Sequence, residues 1–249
     1  MNSLILNPSA LHNGYWSYVA IVAIAFLAHP AHAQAYQCRA PKLLLPAPPD
    51  TPAPSEPRRA VPVASYLLTL SWSPEFCRTR KSDPRHAAQC GGDSGNFDFT
   101  LHGLWPEARG PGYPQWCAPT TPLSAAEVRR NFCMMPSPKL MAHEWAKHGT
   151  CMTRRPETYF RISRQLFDAI RYPAMDSLSR KPLTARQFRV AFAAENPGLR
   201  PEMIRLSVSK SGWLEEVRLC LAKNFRPQRC PAFMRRMDDE MPLKIWRGA

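Results

Sequence analysis

The sequence predicts an α+β fold: a mainly antiparallel sheet with packed helices, stapled by disulfides. Three observations predict it. Two early runs and one late pair of runs alternate apolar and polar residues at strand period. The stretches between them carry apolar residues at helical spacing, and segregated strands and helices favour α+β over a parallel α/β design. Eight cysteines, an even number, all follow an apolar leader and read as a disulfide framework.

The leader is residues 18–28, an apolar run of signal-peptide length and too short to span a bilayer. Ala31-His32-Ala33 supplies a small-x-small cleavage pattern, so residues 1–33 are expected to be a signal peptide and the mature chain to start near Gln34. Residues 34–62 follow as a proline-rich arm, with eight prolines from Cys38 to Pro62, extended and polyproline-like. Residues 63–249 are expected to form one domain, with no repeats and no second core.

Tyr66, Leu68, Leu70 and Trp72 share one face of a first strand, which Ser73-Pro74 ends. Residues 78–95 read as a polar loop. In a second strand Phe97, Phe99 and Leu101 alternate with Asp98, Thr100 and His102, which places His102 opposite the apolar stripe at the strand end. A Gly/Pro-rich loop carrying Tyr113 and Trp116 follows, over residues 107–122. Ser124-x-x-Glu127 predicts a capping-box helix to about Phe132, and 140–148 a second helix stopped by Gly149. Apolar spacing over 158–172 and a second capping box at Thr184-x-x-Gln187 predict two more. Ile204, Leu206 and Val208, the turn at Ser211-Gly212 and the run from Trp213 to Leu221 predict a hairpin, and Lys244-Ile245-Trp246 a last strand.

The chemistry concentrates in His143-Glu144-Trp145-Ala146-Lys147-His148-Gly149-Thr150-Cys151. Residues four apart share a helix face, so Glu144 stands over His148 and His143 over Lys147. A single Glu–Lys pair is ordinarily a solvated face, but four such groups within six residues suit proton transfer and charge stabilisation at a phosphate. A zincin helix needs its histidines four apart. Here they are five apart, roughly 140° around the helix at 3.6 residues per turn, which excludes that site. No Cys-x-x-Cys spacing supports structural zinc, and no metal or other cofactor is called for.

The net charge of +14 is spread in pairs (Arg58-Arg59, Arg129-Arg130, Arg154-Arg155, Arg235-Arg236) and agrees with a polyanionic partner such as RNA. By itself it does not separate that partner from a solubility charge.

Residues 101–106, with His102-Gly103-Leu104-Trp105-Pro106, and residues 143–151 together resemble the two active-site signatures of the ribonuclease T2 family, in the family's order. The resemblance extends over about residues 66–246. It implies a secreted or periplasmic endoribonuclease, read as a monomer, that cuts single-stranded RNA without a metal. His102, Glu144 and His148 would be catalytic, with His148 as base and His102 as acid, and His143 and Lys147 would support the phosphate. The product would be a 2′,3′-cyclic phosphate, hydrolysed more slowly to the 3′-phosphate. Trp105, Glu107 and Tyr113 match the residues that hold a base in relatives, although the family often has Asp where Glu107 stands. Eight cysteines allow 105 pairings. The resemblance suggests Cys117 with Cys151, Cys220 with Cys230 would then close the late strand region, Cys77 with Cys90 makes a local loop, and Cys38 with Cys133 remain.

Overall fold

The computed structural model of the protein describes residues 35–36 and 38–248; the expected signal peptide lies outside the described residues. Strands β1 (Ser65–Trp72), β2 (Phe99–Glu107), β3 (Ile204–Val208) and β4 (Leu214–Ala222) form an antiparallel sheet in the order β2-β1-β4-β3. The alternation in β1 sends Tyr66, Leu68, Leu70 and Trp72 to one buried face, where Val217 and Leu219 of β4 join them.

Helices α1 (Ala125–Asn131), α2 (Pro138–Lys147), α3 (Pro156–Asp168) and α4 (Ala185–Ala194) supply the other half of that core through Val128, Met141, Trp145, Phe160, Phe188 and Phe192. Proline at the first turn starts α2 and α3, where its missing N–H is not needed, so α2 begins two residues before the expected Leu140. Ser137 caps α2 through its hydroxyl, and Thr184 and Gln187 form the full capping box of α4. At α1, Ser124 caps the helix, but the Glu127 side chain accepts from Arg130 and Asn131 instead.

The structure departs from the sequence expectation at three further places. Strand β2 does not end at His102 but runs on through Gly103 and Pro106 to Glu107. It is an edge strand, where a proline's absent N–H is tolerated, and Met134 covers part of that edge by accepting from the Leu101 N–H at 2.8 Å. Lys244 makes a single parallel bridge to Trp213 rather than opening a strand, because the segment divides its pairing: Pro242, with no N–H to donate, bridges Thr184 instead. The loop at 78–95 winds into short turns at Pro84–His86 and Ala87–Cys90.

Four disulfides tie the chain together: Cys38–Cys133, Cys77–Cys90, Cys117–Cys151 and Cys220–Cys230. The first anchors the proline-rich arm beside α1, and the third joins the loop after β2 to the end of α2. On the face of the sheet away from the helices, Leu67, Cys220 and Cys230 form a small apolar cluster with Trp105 and Met234 against it. There Glu216 and Arg218 of β4 alternate with Val217 and Leu219, which point the other way.

Candidate active site

His102 owes its position to a break in register. Along β1 and β2, Leu70 pairs with Leu101 and Thr69 with Gly103, so His102 is the extra residue of a β-bulge. Bulges re-aim side chains beside functional sites, and this one brings the β2 backbone against α2. A Cβ at Gly103 would lie 1.9 Å from Glu144 Oε2 and 2.6 Å from Trp105 Nε1, so only glycine fits.

The groups named from the two signatures meet there. Glu144, 1% exposed, accepts a hydrogen bond from Trp105 Nε1 at 2.8 Å, and its other oxygen lies 3.7 Å from His102 Nε2. His148 caps the C-terminus of α2, and its ring stacks on Trp105 with centroids 5.5 Å apart. Trp105 also meets the His102 ring edge-on at 5.1 Å, so one indole separates the two imidazoles. Tyr113 lies 5.9 Å from His148. His102, His148, Trp105, Glu107, Tyr113 and Lys147 line one cavity of about 550 Å³. A second, of about 440 Å³, opens beside Phe76, His86 and Gln89, and His102 and His143 line both.

Trp116 is buried at φ 56°, its backbone N–H donates to the Lys147 carbonyl at 2.8 Å, and its ring meets His143 edge-on. The Cys117 N–H donates to Thr150 Oγ1, which donates to the Ala146 carbonyl. The loop after β2 is therefore fastened to the last turn of α2.

Three acidic partners were not expected from sequence. Glu216 Oε1 lies 2.6 Å from His102 Nδ1, and Glu216 Oε2 accepts from Arg218 Nε and Nη2 at 2.9 and 2.6 Å. The alternation Glu216-Val217-Arg218-Leu219 is the signal that places both side chains on one face. From the arm, Asp50 Oδ2 lies 2.6 Å from His143 Nδ1, and Glu56 Oε1 accepts from Lys147 Nζ at 2.6 Å. They stand out in sequence only as isolated acids in a basic, proline-rich stretch.

The electrostatics of the two central histidines diverge. Burial works against the His102 imidazolium, but Glu216 and Glu144 outweigh it and hold the group above the ordinary histidine range. His148 is buried with no carboxylate partner and faces Lys147, His143 and His102, so it is pushed well below that range. Its Nδ1 has no hydrogen-bond partner among the described residues, which suits a neutral ring. Burial raises Glu144 despite the neighbouring cations. Burial also lifts Glu107 to about 7, with Arg218 pulling the other way. Among the described residues no group of three or more His, Cys, Asp or Glu side chains is arranged to hold a metal ion.

The profile of the Ribonuclease T2 family matches residues 63–230. The chain belongs to the ribonuclease T2 family. It is similar to a "Probable ribonuclease" of Haemophilus influenzae, 31% identical over 68% of this chain and 61% of that one. It is also similar to a "Ribonuclease" of Aeromonas hydrophila, 35% identical over 49% of this chain and 55% of that one. The chain thus spans a little over half the length of these two bacterial relatives. Among solved structures, trichomaglin, described as an S-like ribonuclease, shares the fold with a TM-score of 0.56 and 21% identity, over 74% of this chain and 98% of that one. RNase NT, solved with 5′-AMP, shares it with a TM-score of 0.53 and 21% identity, over 74% and 98%. This family's fold is the disulfide-stapled α+β architecture described above.

Proposed function

We propose that the protein is an endoribonuclease of the T2 type, cutting single-stranded RNA by transfer of the phosphate to the ribose 2′-oxygen. The observation that carries this reading is the pair of imidazoles set about one indole with opposed electrostatic surroundings. A neutral His148 is equipped to accept the 2′-OH proton as O2′ attacks phosphorus. A protonated His102 is equipped to deliver the Nε2 proton to the departing 5′-oxygen. Lys147 and Glu144, the latter pushed toward its protonated form, supply donors to the phosphorane oxygens, and His143 contacts the phosphate. The 2′,3′-cyclic phosphate is then hydrolysed more slowly to the 3′-phosphate, with the histidines exchanging roles. No step needs a metal.

Trp105 and Tyr113 offer ring faces to a base, and stacking on such rings contributes about 1–3 kcal/mol per base. Glu107 borders the same cavity and, near neutrality, exists in donor and acceptor forms. RNase NT binds 5′-AMP, and a cavity of about 550 Å³ supports a nucleotide-sized ligand here. The surplus of basic residues supports an RNA partner, and the apolar leader supports export to the periplasm or beyond. Among the described residues no helix is long and apolar enough to cross a membrane.

The test is product mapping on an RNA dinucleotide: the cyclic phosphate should appear first and the 3′-phosphate later. Equal cleavage of the deoxy dinucleotide, which lacks the internal nucleophile, sinks the mechanism. A substrate with a 5′-bridging sulfur, whose thiolate leaves without a proton, should rescue His102→Ala and not His148→Ala. The opposite rescue would exchange the two roles.

A further inference from the structure

Two features of the site go beyond the signature residues, and each rests on its own contacts. Around His102, a closed ring of interactions runs from its Nδ1 to Glu216, from Glu216 to Arg218, from the Arg218 guanidinium over the Trp105 ring at 5.3 Å, and from Trp105 Nε1 to Glu144, which faces His102 Nε2. The geometry points to Glu216, braced by Arg218, as the residue that positions His102 for proton donation in the proposed reaction. The hydrogen bond at Nδ1 fixes the ring and leaves Nε2 as the nitrogen aimed into the cleft. The Glu216 side chain is 12% exposed, and two Arg218 nitrogens hold its other oxygen, so the carboxylate has little freedom to turn away.

The groups acting on His102 are Glu216 and Arg218 from β4, Glu144 from α2 and His148 at its end, while His143, Lys147, Glu107, Arg205 and Arg235 share its first cavity and Asp50, Arg85, His86 and Lys139 its second. Glu216→Gln removes one carboxylate and leaves Arg218 as an uncompensated neighbour. The alkaline limb of kcat/KM should move to lower pH, with turnover on that side reduced about tenfold or more and KM little changed. Glu216→Asp should restore part of it. An NMR titration of the His102 ring should move the same way whether or not the protein cleaves RNA. An unmoved His102 titration in a folded Glu216→Gln protein overturns the assignment.

The second feature is the arm. It is pinned at one end by Cys38–Cys133 and at the other by the backbone bridge between Arg59 and Gln115. Between residues 38 and 62 the acids are Asp50 and Glu56, and both lie against basic side chains of the cleft, His143 and Lys147. Within 51–58 every residue but Glu56 is exposed, so the chain dips to the surface where its carboxylate reaches Lys147. We infer that the arm is an intramolecular anionic strap, with Asp50 and Glu56 standing where RNA phosphates bind in the proposed function. A tethered carboxylate has a high effective concentration, so incoming phosphates must displace it and every anionic ligand binds more weakly.

Binding of an uncleavable deoxy dinucleotide tests the strap in the full mature chain. In Asp50→Asn/Glu56→Gln the Kd should fall about 2- to 30-fold at low ionic strength, the range two partly exposed ion pairs support. The gain should shrink as salt screens both pairs. Unchanged or weaker binding overturns the strap, because the two acids would then be holding His143 and Lys147 in place for the ligand. If the wild type cuts no RNA, the functional reading fails, yet the Kd comparison still decides this one.

Discussion

Replacing Gly103 by alanine puts a methyl group where Glu144 now sits. The added carbon would lie 1.9 Å from Glu144 Oε2 and 2.7 Å from its Cδ, so the carboxyl must retreat by roughly 1.5 Å to reach ordinary contact. Glu144 is 1% exposed and has no solvent to retreat into. The move also breaks its 2.8 Å hydrogen bond from Trp105, whose ring stacks on His148. Misplacing one group by about 1 Å removes on the order of 10²-fold in rate, and overpacking costs about 1–3 kcal/mol. For a chain of this size that is a Tm lower by about 2–10 °C. RNA cleavage should be measured well below the lowered Tm, so that unfolding does not contribute. Gly110→Ala is the control, because a Cβ there meets nothing within 4 Å. Gly103→Ala turnover within twofold of wild type would refute the close approach of β2 to α2 as a requirement of the site.

Three more outcomes follow from the same geometry. The kcat/KM profile should be a broad bell, its acid limb below the ordinary histidine range because His148 is depressed and its alkaline limb above because His102 is raised; limbs that coincide near 6.5 would contradict both surroundings. Glu107 binds its proton more tightly folded than unfolded, so its contribution to stability is complete below the ordinary glutamate value of 4.5 and is lost as pH rises to about 7. That loss is about 3 kcal/mol by linkage, and denaturation of Glu107→Gln across this window should lack it. Cys117→Ser/Cys151→Ser opens a loop of sequence separation 34 and should lower stability by about 4 kcal/mol while loosening the end of α2, read by denaturant midpoint and turnover together; an unchanged midpoint would contradict it.

The local elements were legible because each is written in one short stretch. Ser124 and Thr184 cap α1 and α4, Gly149 follows the end of α2, and the alternation on either side of Ser211-Gly212 makes the β3–β4 hairpin. Periodicity fails where two segments must agree on a register. Gly103 and Pro106 look like strand breakers when read alone. Paired with β1 at an edge they are compatible with the strand, and the bulge at His102 exists only in that pairing.

The same reasoning explains why the signatures were found and their partners were not. His102 and Glu144 are recognisable in sequence because they stand among glycine, tryptophan and cysteine residues that the close packing here demands. Gly103 lets Glu144 approach, and a Cβ at Gly149 would lie 2.4 Å from the Trp145 ring. Glu216 needs no such surroundings: any β4 residue on that face and at that register can reach His102 Nδ1, so its neighbours carry no trace of the role. Asp50 and Glu56 are freer still, since an extended proline-rich arm constrains only its reach. The residues that tune the site's charge therefore come from elements able to change without disturbing the signatures. Differences in pH response and substrate affinity between relatives should accordingly map to β4 and the arm before they map to α2.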